Sequence, residues 1–202
     1  MNAQELYDAG KFSEVIKLLK KDQPSELLAF AYQKNKQWEE AMNVWNALIA
    51  ANPNKASYYN DRGVCKFNMR FKHAILDFDK AISLEPENAY FYSCRAYIKD
   101  KTGDTEGSVQ DYEAALNLDP DDAITLNNLG LAEQKLGFTA RARERFKYSD
   151  DLLGVKTIDS RESHEYKKLS PTPPEKTTLW KEFKNMFSID GFRSFLKDLT
   201  KK

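Results

Sequence analysis

AYFYSCRAYIKDKTGDTEGSVQDYEAALNLDPDD, residues 89–122, is one complete structural sentence. Gly103 and Asp104 interrupt two amphipathic stretches, and Asp119-Pro120 ends the second, since proline cannot continue a helix and turns its predecessor away from helical angles. Prolines recur at 53, 86 and 120, spaced 33 and 34 residues apart, and each closes a copy of the same pattern. A period near 34 residues with a break in mid-copy predicts stacked helix–turn–helix units. Helices are expected over 25–34 and 37–51, 57–69 and 71–84, 90–102 and 105–118, and 124–136 and 139–152.

Aligning the copies exposes a packing code. Gly63, Ala96 and Gly130 put a small residue at one place in the first helix. Ala41, Ala74, Ser108 and Ala142 do the same in the second helix, and Trp45, Phe78, Tyr112 and Phe146 supply the large group opposite. Alternating small and large side chains interdigitate at helix–helix contacts; the pattern is one of packing, not of catalysis.

These residues resemble tetratricopeptide repeats. The match is carried by Gly63, Ala74, Phe78, Ala81 and Pro86 in one copy and by Gly103, Ser108, Tyr112, Ala115 and Pro120 in the next. Leu129, Gly130, Gly137, Ala142 and Phe146 carry it in the last copy; Ala29, Tyr32, Trp38, Ala41, Trp45 and Pro53 in an earlier one. A degenerate first unit keeps Leu6, Gly10, Phe12, Val15 and Leu19. The resemblance covers about residues 1–154 and implies an all-α, right-handed superhelical array: a degenerate unit over 1–21 and full units over 22–55, 56–88, 89–122 and 123–154. The copy over 56–88 departs from the pattern, with Arg70-Phe71 in place of the glycine turn and one residue fewer.

Arg62 and Arg95 occupy a position that is Leu28 and Leu129 in the other copies. The matching second-helix position is Asp77 and Asp111 in the arginine copies, but Val44 and Arg145 in the others. A buried guanidinium needs a carboxylate, so Arg62 with Asp77 and Arg95 with Asp111 are expected as structural ion pairs between helices.

The resemblance further implies that the first helix of each unit lines a concave face. Phe30, Asn60, Val64, Tyr90, Tyr97, Asn127 and Leu131 are the expected partner-binding residues there. Members of the family that clamp a chaperone's C-terminal carboxylate use lysine, arginine and asparagine on this face. Here only the asparagines are present, so that clamp is not expected. The amides of Asn60 and Asn127 can grip a peptide backbone, and the two tyrosines can serve as aromatic anchors.

Residues 155–178 form a polar linker containing Pro171, Pro173 and Pro174, and residues 179–202 read as an amphipathic helical appendage. Leu179, Trp180, Phe183 and Phe187 share one face; Phe192, Phe195 and Leu199 form a second beyond Gly191. Such a segment can cap the open end of the array, dock on a partner or on another copy, or lie on a membrane surface.

The 202-residue chain is 41% hydrophobic and 31% charged with a formal net charge of zero, which argues against non-specific nucleic-acid binding. Its apolar runs are too short to cross a bilayer, and the start of the sequence lacks a basic-then-apolar leader. Cys65 and Cys94 read as reduced core thiols, in keeping with a cytoplasmic setting. The two histidines have no metal-ligand spacing, and no phosphate loop or nucleophile elbow is present. The expectation is a non-enzymatic scaffold without cofactor that binds a protein or peptide in its concave groove. The alternative is a regulatory or self-associating module whose C-terminal segment occupies that groove.

Overall fold

The computed structural model describes residues 2–154. They form ten helices and no strand. In chain order these are α1 (Ala3–Asp8), α2 (Phe12–Leu19), α3 (Glu26–Lys34), α4 (Trp38–Ala51), α5 (Ala56–Asn68), α6 (Ile75–Leu84), α7 (Ala89–Thr102), α8 (Thr105–Leu118), α9 (Ala123–Lys135) and α10 (Thr139–Leu153). Every α-helix packs on the next, so the chain is a row of antiparallel hairpins. The readings of residues 155–178 and of Leu179, Trp180, Phe183, Phe187, Phe192, Phe195 and Leu199 lie outside the described residues.

Helix starts follow from local chemistry. Ser25, Asn88, Asp104 and Asp122 each accept a backbone N–H of the first turn, and Asn2 with Glu5 forms a reciprocal capping box. Each such cap contributes about 1 kcal/mol by satisfying donors that the helix itself cannot.

The turn inside each hairpin needs one residue in the left-handed region. Gly103 and Gly137 fill it at φ 99° and 85°, but Lys36 and Arg70 hold the same place at φ 58° and 61°. A side chain there crowds the following carbonyl. The copy with one residue fewer also starts its second helix late, at Ile75 instead of the expected residue 71. Residues 71–77 first wind through tighter i→i−3 bonds, Ala74 N to Phe71 O and Asp77 N to Ala74 O. That shortcut still delivers Ala74, Asp77 and Phe78 to the core.

Packing explains the small-residue positions. A Cβ added at Gly63 would stand 2.8 Å from the Phe78 ring, and one at Gly130 would stand 2.6 Å from Phe146. Trp45, Phe78 and Tyr112 are buried at the centres of successive hairpins, each beside a small residue of the first helix.

The first helices of neighbouring units touch directly, α1 with α3, α5 with α7 and α7 with α9, whereas the second helices have no comparable contact with one another. Tyr58 Oη donates to Glu26 at 2.7 Å across α3 and α5, and Ser93 shares a 2.7 Å bond with Thr125 across α7 and α9. Helices that approach each other more closely lie on the inside of the curve. The first helices therefore form the inner face.

Candidate functional site

Two registers of that inner face run unbroken through its second half. Tyr90 is 60% exposed and Ile124, one unit on, 72%. Tyr97 and its counterpart Leu131 are exposed at 45% and 46%, with Asn127 exposed between the registers. Four large apolar groups thus stand in water on rigid helices at equivalent positions of adjacent units.

The first half of the face differs. Phe30 is half-buried, its ring edge-on to Trp45 at 5.1 Å, and Val64 is half-buried too. Asn60 departs from the expectation: it is fully buried and offers nothing to an incoming backbone. Neighbouring first helices close over it. From α3, Gln33 Nε2 donates to the Asp61 carbonyl at 3.0 Å and to Cys65 Sγ at 3.2 Å. From α7, Tyr90 and Cys94 come within electrostatic reach of Asn60 and Asp61.

A polar cluster results. Asn60 Nδ2 donates weakly to Asp61 Oδ1 at 3.5 Å, while Asn60 Oδ1 is buried without a hydrogen-bond partner. Burial pushes the Asp61 carboxyl up to about 6; the Asn60 bond opposes this and the Glu26 charge adds to it. Burial likewise raises both the Cys65 and Cys94 thiols to about 11. Among the described residues no cation pairs with Asp61.

Asp61 is half-buried, whereas the fully buried carboxylates Asp77, Asp111 and Glu133 each face cations of the chain, Glu133 at ion-pair distance without a well-formed hydrogen bond. Arg62 grips Asp77 through Nε and Nη2 at 2.8 and 2.7 Å, and Arg95 grips Asp111 through the same atoms at the same distances. Lys66 and Lys99 add a second cation to each aspartate at 2.9 Å. The remaining guanidinium nitrogen reaches back to the preceding unit, to Asn46 from Arg62 and to Asp79 from Arg95. In the last hairpin the polarity is reversed. Glu133, fully buried on α9, faces Arg141 at 2.8 Å and Arg145 at 3.7 Å on α10. Burial raises its pKa and the two arginines oppose that. These clusters bind first helix to second helix and leave the inner face to other residues.

The sequence reading missed Asp61, Gln33 and Cys94 as members of the inner-face cluster. One signal was available for Asp61: the residues three and four positions away are Ser57, Tyr58, Val64 and Cys65, none of them a cation. Its adjacent Arg62 is committed to Asp77. No group of side chains suited to a metal ion occurs among the described residues, and none of the described helices is long and apolar enough to cross a membrane.

A curved row of helical hairpins with one exposed inner face defines the class of helical repeat proteins. Residues 98–137 match the family model of the TPR repeat. That stretch is a tetratricopeptide repeat, and the row of hairpins around it is similar to the arrays of that family. Over 90 residues it is 29% identical to small glutamine-rich tetratricopeptide repeat-containing protein 2 of Saccharomyces cerevisiae, covering 44% of this chain and 26% of that protein. Over 119 residues it is 31% identical to protein FlbA of Caulobacter vibrioides, covering 57% and 20%. The chain thus spans about a quarter or less of the length of these curated relatives. Among solved structures, MamA superposes with a TM-score of 0.62 at 22% identity over 76% of this chain and 96% of that one. The first TPR of Spaghetti (RPAP3), bound to the HSP90 peptide SRMEEVD, superposes with a TM-score of 0.51 at 24% identity over 54% and 87%. At these identities the likeness is one of fold.

Proposed function

We propose that this chain is a non-enzymatic interaction adaptor that holds a segment of a partner protein on the inner face of α3, α5, α7 and α9. The observation that carries the reading is the exposed ladder Tyr90, Tyr97, Ile124 and Leu131 around Asn127. Large apolar groups on a rigid scaffold are the usual anchors of protein interfaces, and little ordering entropy remains to be lost on the scaffold's side. That a protein of the same fold holds a peptide, as RPAP3 does, supports the use of such an array for peptide capture.

The test is a pull-down with the full chain, Tyr90→Ala and Tyr97→Ala. Each substitution is expected to weaken partner binding by about 2 kcal/mol, roughly thirtyfold, while far-ultraviolet circular dichroism stays unchanged. A partner that binds both variants as it binds the parent refutes the inner face as the site. Truncation after residue 178 separates the alternative in which residues 179–202 occupy this face. Partner affinity then rises, whereas a tail that does not compete leaves it unchanged.

A further inference from the structure

We infer that the bound segment carries a lysine or arginine, and that its cation is received between the Asp61 carboxylate and the Tyr90 ring. The inference rests on the inner-face reading above and adds the chemistry of the partner to it.

Asp77, Asp111 and Glu133, the buried carboxylates of the array, each face two cations of the chain, and the partly buried Asp100 faces Lys135 and Lys101. Asp61 has none among the described residues. Beside it Asn60 Oδ1 is fully buried and accepts no hydrogen bond. Asp61 therefore receives only the weak Asn60 bond and no cation, and because Asn60 itself is fully buried, the Asp61 carboxylate is the under-matched acceptor left for a partner to reach.

The surroundings set the sign of the missing group. From α3 the cluster is faced by Glu26 and Gln33; from α5 by Tyr58, which donates to Glu26, and by Cys65; from α7 by Tyr90 and Cys94. No member is cationic, so an anionic group such as a C-terminal carboxylate would meet only like charge here. One carboxylate and one amide oxygen are also too few for a calcium ion, which takes six to eight oxygens.

The aromatic neighbour points the same way. The rings of Tyr59, Tyr92, Tyr97 and Phe138 each carry a cation of this chain at 5.2–5.8 Å. Tyr90, more exposed than Tyr97, carries none of the described cations. An exposed ring face beside a carboxylate is a favourable seat for ammonium or guanidinium. The raised pKa of Asp61 adds a pH signature: an arriving cation favours the ionised form and expels its proton, so the charge preference fades below about pH 6.

The experiment is selection of phage-displayed random 16-residue peptides on the full chain, followed by titration of histidine-free synthetic versions. The expected winners place Lys or Arg at one fixed position among apolar residues. Replacing that residue by Met should weaken binding about tenfold or more at pH 7.5. The same replacement should cost far less on Asp61→Asn, and far less on the parent at pH 5. Winners without a basic preference, or a Met penalty unchanged at pH 5 and on Asp61→Asn, overturn this inference while leaving the inner face as a binding site. Should Asp61→Asn fail to fold, Asp61→Ser takes its place, and a Met penalty unchanged on that variant overturns the inference. If no peptide is selected, or if binding ignores Tyr97→Ala and Leu131→Ala, the inner-face reading falls and takes this one with it.

Discussion

Replacing Asp77 by asparagine removes one negative charge and almost no volume, so it isolates the electrostatics of the hairpin. Asp77 is 6% exposed at its side chain and receives two bonds from Arg62 and one contact from Lys66. Without the carboxylate, Arg62 keeps only neutral partners: Asn46, the Tyr59 ring and the amide oxygen of the new asparagine. Arg95 in the next unit is better placed: if Asp111 becomes asparagine, Asp79 still accepts from it at 2.8 Å. Breaking a buried pair on one side costs about 3–5 kcal/mol. We expect Asp77→Asn at about 3 kcal/mol, and Asp111→Asn at less. At about 2–4 °C per kcal/mol for a domain of this size, the first shift in melting temperature is about 6–12 °C. The double replacement Arg62→Leu with Asp77→Val copies the Leu28 and Val44 solution of an earlier unit and should recover most of the loss. Lys66, already 27% exposed, can then extend into water. Thermal melts of the three variants by circular dichroism check the ordering. A melting temperature within about 2 °C of the parent for Asp77→Asn, or a larger loss for Asp111→Asn, refutes the reasoning.

Arg70→Gly and Lys36→Gly should each stabilise by about 0.5–1 kcal/mol, because glycine accepts the left-handed turn without crowding; urea titration reads the gain. Gly63→Ala should cost about 1–3 kcal/mol, since its Cβ would meet the buried Phe78 ring, and the same titration reads the loss. Asp61 carries a folded-state pKa near 6 against an ordinary 3.8, so between about pH 4 and 6 the native form binds more protons than the unfolded one. Stability from this group falls as pH rises through that window, and Asp61→Asn should raise stability by about 1–2 kcal/mol at pH 7.5 and by nothing below pH 4. With thiols raised to about 11, Cys65 and Cys94 should resist alkylation at pH 8 in the native protein and react once it is unfolded, as mass spectrometry of iodoacetamide-treated samples would show.

The hairpins, their order and the small-against-large contacts could be read directly from the chain. Each depends on residues within a single copy of about 34 positions, and comparing copies separates what packing requires from what it tolerates. The ion pairs were legible for the same reason. Arg62 and Asp77 lie 15 residues apart inside one hairpin, so arginine and aspartate come and go together between copies. What the sequence could not determine involves either neighbouring units or atoms that no pattern specifies. Asn60 sits at a position that is exposed in the last unit, as Asn127, yet buried in α5, because α3 and α7, the first helices of the neighbouring units, close over it. Glu133 restores a buried ion pair in the last hairpin with the charges exchanged, one helical turn away from the position where the arginine stands in other units. Asp61 is an ordinary helix-surface aspartate by its spacing, and only the packing of α3, α5 and α7 half-buries it without supplying a cation. The local pattern fixed which residues meet within a hairpin; the stacking of three hairpins decided which polar groups lost solvent, since desolvation is set by everything within a few ångströms, whatever its distance along the chain.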